Sequence, residues 1–529
     1  MTDQVENPIP EGAVSEAQQF RSQVGHISRQ SGVFFAGTMF TAAFGYVFKV
    51  YLARVLGPAD LGLYTLGITL VGFFGIFNTL GLPQSAVRFV AAYQATGKFQ
   101  QLHALLWRGS GILLLINGFF AVILLIFGRV IALRFYHSPV LVQYLPLFAW
   151  MMLFSVLSLF FGKVLAGYRD LKLRTLIVNF VGSPLNMLIA VVLISAGMGL
   201  RGYLLAQIVS GGIACLLLLI AVRQLTPPAA RFSAHSSASP SKEVWSLSAA
   251  MLGIGFLDFL MAQVDKIGLG FYRGAREVGI YSVAAAVVVY VALALNSINQ
   301  IFAPTIADLH ARGDHVLLAR LFQSLTKWVI GLTLPLAMVV IVFSRPIMRI
   351  FGHDFEAGWP ILIIGTVGQL VNCGVGSVGY LLLMSGNEKR VVKVEIVMAG
   401  VMVVLSAALI PLWGVMGAAI ASAVTNVGMN VGNLLQVRSA LGLWPYTKGY
   451  LRLVPPTLAM MLATIFLKMH SDIFRHDWLA VGATTVAAYA VFAAVAPLGG
   501  LDADDRLIAT AIWSRVRNVF GSSAAEAQS

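Results

Sequence analysis

Long apolar stretches separated by short polar breaks recur along the whole chain. Each is close to the ~20 residues with which a helix crosses a hydrocarbon core of about 30 Å. Because backbone polar groups in lipid must be satisfied within the segment, the stretches are predicted to be helices. The pattern predicts an all-α polytopic membrane protein with about 14 transmembrane helices, at approximately 32–55, 63–80, 109–128, 141–168, 176–197, 203–222, 246–272, 280–303, 328–344, 359–385, 394–413, 418–437, 453–470 and 479–498.

Composition supports a membrane location. Of the 529 residues, 58% are hydrophobic and 11% are charged, against roughly 25% charged residues in a soluble domain. The 51 glycines fit close packing of membrane helices. A soluble protein of this size could not cover its surface with so few charges.

The net charge of +14 is explained by topology. Most lysines and arginines lie in the breaks that alternate to one side of the predicted helices. The positive-inside rule makes that side cytoplasmic and places both termini there. The sequence therefore gives no reason to expect a nucleic-acid partner.

No motif of an enzyme or of a cofactor site appears. The chain contains no P-loop, dinucleotide fingerprint, HExxH or GxSxG sequence. Cys215 and Cys373 both lie in apolar spans, which predicts neither a disulfide nor a metal site. The first 30 residues are polar and do not resemble a cleavable signal. We expect a protein that is not an enzyme and needs no cofactor.

A break rich in Pro, Ser and Ala, PPAARFSAHSSASPSK, divides the first twelve predicted helices into two sets of six. It reads as a flexible cytoplasmic linker. Residues 501–529 have the composition of an amphipathic surface helix or of a disordered tail. The predicted organisation is a cytoplasmic segment 1–30, helices 1–6 in 31–222, a linker 223–245, helices 7–12 in 246–442, helices 13–14 in 443–500 and a tail 501–529.

The two sets of six look duplicated. Three separated segments recur at offsets of 215–217 residues: Gly57–Tyr64 with Gly274–Tyr281, Phe127–Arg129 with Phe343–Arg345, and Gly199–Gly202 with Gly414–Gly417. An even number of helices per copy keeps both copies in one orientation, as in transporters built from parallel repeats. We refer to 31–222 as the first repeat and to 246–442 as the second.

Three segments, RQSG at Arg29–Gly32, YLARVLGPADLGLYTL and LGLPQSAVRFVAAY, carry a resemblance to a known family. They resemble the bacterial polysaccharide transporters, the O-antigen flippase-like oligosaccharide-lipid flippases of the multidrug/oligosaccharidyl-lipid/polysaccharide exporter superfamily. The resemblance implies two pseudo-symmetric six-helix lobes around a central cavity, followed by two extra helices.

The resemblance also implies a function. It implies that a polyprenyl-pyrophosphate-linked oligosaccharide moves across the bacterial inner membrane by alternating access for polysaccharide biosynthesis. Because the sequence has no nucleotide-binding motif, we expect uphill transport to use an ion gradient or the consumption of the product outside. The implied partners are the lipid-linked oligosaccharide, membrane lipids, and a glycan polymerase or glycosyltransferases.

Three lysines inside predicted spans are candidate substrate contacts. A charge at a helix centre costs about 2.5–3.5 kcal/mol on insertion scales and calls for a reason. Lys49 and Lys266 occupy equivalent positions of the two repeats, and Lys163 lies in the fourth span. Facing a cavity, their ammonium groups would attract a pyrophosphate. The alternative is that they snorkel to the interface.

Two aspartates on the seventh span are candidates for ion coupling. Asp258 and Asp265 are seven residues apart and share a helix face. A buried acid can load and release a cation. The alternative is a structural ion pair, because Asp265 adjoins Lys266.

Amide side chains at helical spacing form two candidate linings for a glycan. Interhelical hydrogen bonding is the alternative role. The two groups are Asn296, Asn299 and Gln300, and Asn426 with Asn430.

Three other functions remain open. A multidrug exporter of the same fold should line its cavity with carboxylates and aromatic rings, and a peptidoglycan-precursor flippase should carry arginines. A scaffold for glycan-assembly enzymes would transport nothing. Transport of a labelled lipid-linked sugar by purified protein would separate these.

Overall fold

A computed structural model describes residues 11–231, 242–470, 474 and 476–499 of the chain, with side chains from Phe44 onward apart from a few positions. Within this part every regular element is a helix, so the predicted all-α class is confirmed. The tail 501–529 lies outside the described residues. Helices of the first half are α1 (Glu11–Thr79), α2 (Leu82–Ala95), α3 (Phe99–His103), α4 (Gly109–Val130), α5 (Pro139–Gly167), α6 (Leu171–Thr175), α7 (Ser183–Leu193), α8 (Gly199–Leu225) and α9 (Pro228–Arg231).

Eleven further α-helices lie in the second half of the described residues. They are α10 (Lys242–Tyr272), α11 (Ala275–Val291), α12 (Leu293–Arg312), α13 (His315–Val342), α14 (Ser344–Phe351), α15 (Trp359–Val375), α16 (Val378–Met384), α17 (Glu388–Trp413), α18 (Val415–Leu441), α19 (Val454–Met469) and α20 (Asp477–Val495).

By length and composition, 11 helical segments of the described chain can cross a membrane, or 12 if the bent pair Ala275–Val291 and Leu293–Gln300 is one span. Two of these segments, Phe44–Thr79 and Lys172–Leu225, each overlap two of the spans predicted from sequence. The protein is therefore a multi-pass membrane protein, whereas the count of 14 stays a prediction.

The chain divides into two compact units. The N unit comprises Met1–Val55 and Gly67–Phe256, and the C unit comprises Leu56–Leu66 and Leu257–Ser529. In the N unit, α5 packs against α4, α2 and α8, around a buried cluster that includes Leu105, Phe160 and Leu218. In the C unit, α18 packs against α15 and α17, and α19 against α20.

Within the C unit, the segment Leu56–Leu66 contacts α11 backbone to backbone. A Cβ atom added at Gly62 would overlap the carbonyl group of Ala275, and one at Gly279 would overlap that of Pro58. Gly62 and Gly279 are equivalent in the two repeats, as are Pro58 and Ala275. The contact is therefore reciprocal, and it requires glycine at both positions.

The repeated glycines have matching backbone conformations. Gly57 has φ 73° and ψ 176°, and its counterpart Gly274 has φ 88° and ψ 179°. Gly199 has φ 50° and ψ −134°, and Gly414 has φ 53° and ψ −125°. These conformations are open to glycine and costly for other residues. The duplication inferred from sequence thus recurs in the backbone, at the points where helices break.

Candidate functional site

A cavity of about 430 Å³ lies among α10, α11, α15 and α18 of the C unit. All four helices are apolar overall, so polar groups here need a structural or functional reason. We call it the C-unit cavity. Its polar lining consists of Gln263, Asp265, Lys266, Tyr281, Gln369, Ser422, Thr425 and Asn426.

Asp265 is the most firmly held of these groups. Its side chain is 6% exposed and accepts a hydrogen bond of 2.5 Å from the hydroxyl of Tyr281. The ammonium group of Lys266 lies 3.6 Å from the same carboxylate and donates to the carbonyl of Ala262. The charge of Lys266 is thus balanced by the preceding residue on its own helix. Of the two roles considered for Asp265, this geometry shows the ion pair.

Two amides of the cavity are oriented by neighbours one helical turn away. The amide nitrogen of Asn372 donates to the side-chain oxygen of Gln369 at 2.9 Å. Asn430 donates likewise to Asn426 at 2.9 Å. Side chains three or four residues apart on a helix lie side by side, which permits these bonds. Asn430 therefore supports the lining through Asn426.

Asp258 lies apart from the cavity and has a different partner. Its carboxyl group is within hydrogen-bonding reach of the carboxyl group of Glu395 on α17. Asp258 is exposed and Glu395 is 8% exposed. Two carboxyl groups this close together on membrane-spanning helices call for a structural or functional reason.

The other sequence-predicted residues do not line the C-unit cavity. Lys49 is half-buried on α1, and Lys163 is half-buried on α5 of the N unit. On α12, Asn296 and Gln300 are exposed, whereas Asn299 is 8% exposed. Of the ten candidates, the structure brings together Asp265, Lys266, Asn426 and Asn430.

Sequence reasoning missed two partners of the candidates. Tyr281 closes the repeated segment that begins at Gly274, so its recurrence as Tyr64 was a visible signal. Glu395 is the one acidic residue inside the predicted span 394–413, and a search for carboxylates in spans would have found it. Within the described residues, no group of three His, Cys, Asp or Glu side chains could hold a metal ion.

The family described as polysaccharide biosynthesis protein matches residues 27–310, more than half of the chain. The chain belongs to this family. A putative O-antigen transporter of Shigella flexneri is 22% identical over 318 residues, which are 58% of this chain and 72% of that protein. A probable flippase of Haloferax volcanii is 29% identical over 195 residues, covering 35% of this chain and 40% of that relative. The resemblance read from the three N-terminal segments is confirmed.

Solved structures place this member of the family in a known fold. The lipid II flippase MurJ in an inward closed conformation superposes with a TM-score of 0.66 and 14% identity, covering 88% of this chain and 98% of that one. An inward-facing multidrug resistance transporter of the MATE family gives a TM-score of 0.62 at 14% identity, over 76% and 94%. At these identities the likeness shows the fold alone.

Proposed function

We propose that this protein is a flippase that moves a polyprenyl-pyrophosphate-linked oligosaccharide across the bacterial inner membrane by alternating access. The observation that carries the proposal is a polar cavity inside the membrane-spanning part of a polysaccharide biosynthesis family member. Relatives bearing the names O-antigen transporter and flippase support it. We further propose that the protein is not an enzyme, has cytoplasmic termini and works beside glycan polymerases or glycosyltransferases.

We propose that Lys49 and Lys266 attract the pyrophosphate, with Lys163 as a weaker contact. Lys266 already faces Asp265 at 3.6 Å, so its net attraction for an anion is reduced. Lys49 has no acid at the equivalent position, which is Phe48.

We propose that a proton gradient drives the cycle, with Asp258 as the coupling residue. Its contact with Glu395 is the support for a proton as the coupling ion, since a shared proton can be released when the pair separates. Asp265, held by Tyr281 and Lys266, is the less suitable of the two aspartates. Transport by purified protein that ignores an imposed pH difference would contradict this role.

The test uses vesicles that contain the purified full chain and a fluorescent polyprenyl-pyrophosphate oligosaccharide. The measurement is the rate at which the label becomes accessible to an impermeant quencher. We expect Lys49→Ala and Lys266→Ala each to slow transport about tenfold, the change that a loss of roughly 1.4 kcal/mol of stabilisation produces. Lys98→Ala, at an exposed turn, is the matched control and should transport normally.

Two outcomes would contradict the proposal. Normal transport rates in both lysine variants would show that neither lysine contacts the pyrophosphate. Transport of an organic cation, with no movement of the labelled glycolipid by the wild-type chain, would replace the flippase by a drug exporter.

A further inference from the structure

The C-unit cavity differs in chemistry from the equivalent pocket of the first repeat. The packed pair α15 and α18 corresponds to α5 and α8, and beside the latter lies a pocket of about 330 Å³. At the offset of 215 set by Gly199 and Gly414, Gln369 corresponds to Phe154 and Asn426 to Gly211. The side chain of Phe154 lies against Gly211 and Gly212, with its ring at Gly212. Two amide side chains in the second repeat therefore occupy the positions that an aromatic ring and a glycine occupy in the first repeat.

The charges in the C-unit cavity cancel. Among its lining residues the ionised groups are Asp265 and Lys266, and they form an ion pair. A pyrophosphate entering here would approach a carboxylate whose repulsion is strong in a medium of low dielectric constant. A neutral polar molecule would meet no such repulsion. Charge balance therefore favours a neutral occupant.

The cavity offers both acceptors and donors. The carboxylate of Asp265 accepts from Tyr281 at one oxygen and from the backbone N–H of Lys266 at the other, and each oxygen has a second lone pair. The oxygens of Gln369 and Asn426 are occupied by Asn372 and Asn430, which leaves their NH₂ groups as donors. A hydroxyl needs both kinds of partner.

The size of the cavity also suits a small ligand. Its 430 Å³ falls within the roughly 300–1,000 Å³ that small-molecule pockets occupy. The polar groups are fixed in advance by Tyr281, Asn372 and Asn430. Pre-oriented groups lose little freedom when a ligand binds, which strengthens binding.

We propose that the C-unit cavity is a subsite for a neutral sugar unit of the transported glycan, with Asp265 as acceptor and Gln369 and Asn426 as donors. The inference rests on the proposed flippase function and deepens it by separating two parts of the substrate. The anionic pyrophosphate is attracted by the lysines of the proposed function, and the neutral sugar is bound by Asp265 and the two amides of the C unit.

The first test measures binding without transport. Ser422→Cys is made in a chain in which Cys215 and Cys373 are alanine, and its alkylation by a maleimide is timed in detergent. Glucose, galactose, N-acetylglucosamine and inorganic pyrophosphate are the probes. We expect at least one sugar to slow alkylation about threefold at roughly twice its Kd, since protection scales as one plus the ratio of ligand to Kd. Pyrophosphate should protect less than that sugar, because Asp265 already balances the charge of Lys266.

The matched control is Gln207→Cys in the same background, because Gln207 is the counterpart of Ser422 in the first repeat. The sugars should not protect it. Protection by pyrophosphate alone, equal protection of both cysteines, or protection by none of the sugars would overturn the proposal.

The second test fills the cavity with the side chain of the first repeat. Gln369→Phe should abolish the protection by sugar of the thiol in Ser422→Cys. It should also raise the KM for glycolipid transport about tenfold with little change in kcat, as expected for lost ground-state binding. If Gln369→Phe does not fold, Asn426→Leu, of similar volume, removes one donor and serves instead. Unchanged KM and protection in a folded variant would overturn the subsite.

The two proposals fail in different ways. If sugars protect Ser422→Cys but the wild-type chain moves no glycolipid, the saccharide site stands and the flippase function falls. If the wild-type chain transports and Gln369→Phe behaves identically, the function stands and the sugar subsite falls.

Discussion

The two repeats share their backbone breaks and differ in their interiors. Gly57 and Gly274 adopt nearly the same φ and ψ, so the chain turns in the same way in both copies. In the interior, Phe48 of the first repeat is replaced by Asp265 in the second. Asp265 then recruits Tyr281 and Lys266. Duplication has kept the points that determine the fold and has let the side chains around one cavity become polar.

A second difference runs in the opposite direction. The first repeat contains a buried hydrogen bond of 3.0 Å from Asn78 to Asn117, and both residues are fully buried. Their counterparts are Leu295 and Thr333, and Thr333 bonds to a carbonyl of its own helix. The second copy therefore has no amide pair at these two positions. A buried polar pair joins two helices in the first repeat, whereas the polar pair of Asp265 and Tyr281 in the second repeat lines a cavity.

The largest expected effect tests what the repeats share. Gly62→Ala and Gly279→Ala each place a Cβ on a backbone carbonyl, and overpacking of this kind costs about 3 kcal/mol. We expect both variants to lose a similar free energy of unfolding, measured by SDS titration of detergent-solubilised protein. Gly75→Ala and Gly253→Ala, which have open space around them, are the controls. A loss at Gly62 no larger than at Gly75 would show that the reciprocal contact is absent.

An intermediate effect tests the charged interior of the second repeat. Tyr281→Phe removes the hydroxyl that donates to Asp265, and a hydrogen bond to a charged group contributes about 2 kcal/mol. Tyr489→Phe is the control, because its hydroxyl donates to the neutral carbonyl of Leu332. We expect it to cost less than half as much in the same titration. Equal losses would mean that the carboxylate of Asp265 adds nothing to the bond.

The smallest effect concerns the buried amide pair. Asn78→Leu leaves the oxygen of Asn117 without its donor, at a cost of about 1.5 kcal/mol. The double variant with Asn117→Thr copies the second repeat. We expect it to regain about 1 kcal/mol relative to the sum of the single losses, as residues in contact are not additive. Strict additivity in this double-mutant cycle would contradict the hydrogen bond between the two asparagines.

Much of the architecture could be predicted because hydropathy is a local property. A span of about 20 apolar residues can be recognised from one continuous stretch of sequence. The repeat could be recognised from glycines at positions whose conformation few other residues tolerate. The equivalence of Lys49 and Lys266 followed directly. Two helical segments, Phe44–Thr79 and Lys172–Leu225, continue through predicted breaks. The helix is kinked there, at Gly57 and at Gly197, and hydropathy does not detect a kink.

The partners of the candidate residues could not be predicted in the same way. Asp265 meets Tyr281 and Asp258 meets Glu395 across different helices. Which faces of two helices meet depends on their packing, which no single span encodes. The sequence therefore identified the ionisable residues of α10 but did not determine whether each one pairs with a neighbour or binds a ligand. The structure joins Asp265 and Lys266 as an ion pair and brings Asn426 to the same cavity.

The membership of Leu56–Leu66 in the C unit has a consequence for biogenesis. This segment leaves the ribosome long before Leu257, while domains ordinarily fold from the N-terminus as they are made. Its glycine-containing face has no contact with α11 until α11 has been synthesised and inserted into the bilayer. The C unit therefore includes a segment that is synthesised early. A chain truncated in the linker would expose this segment without its partner, α11.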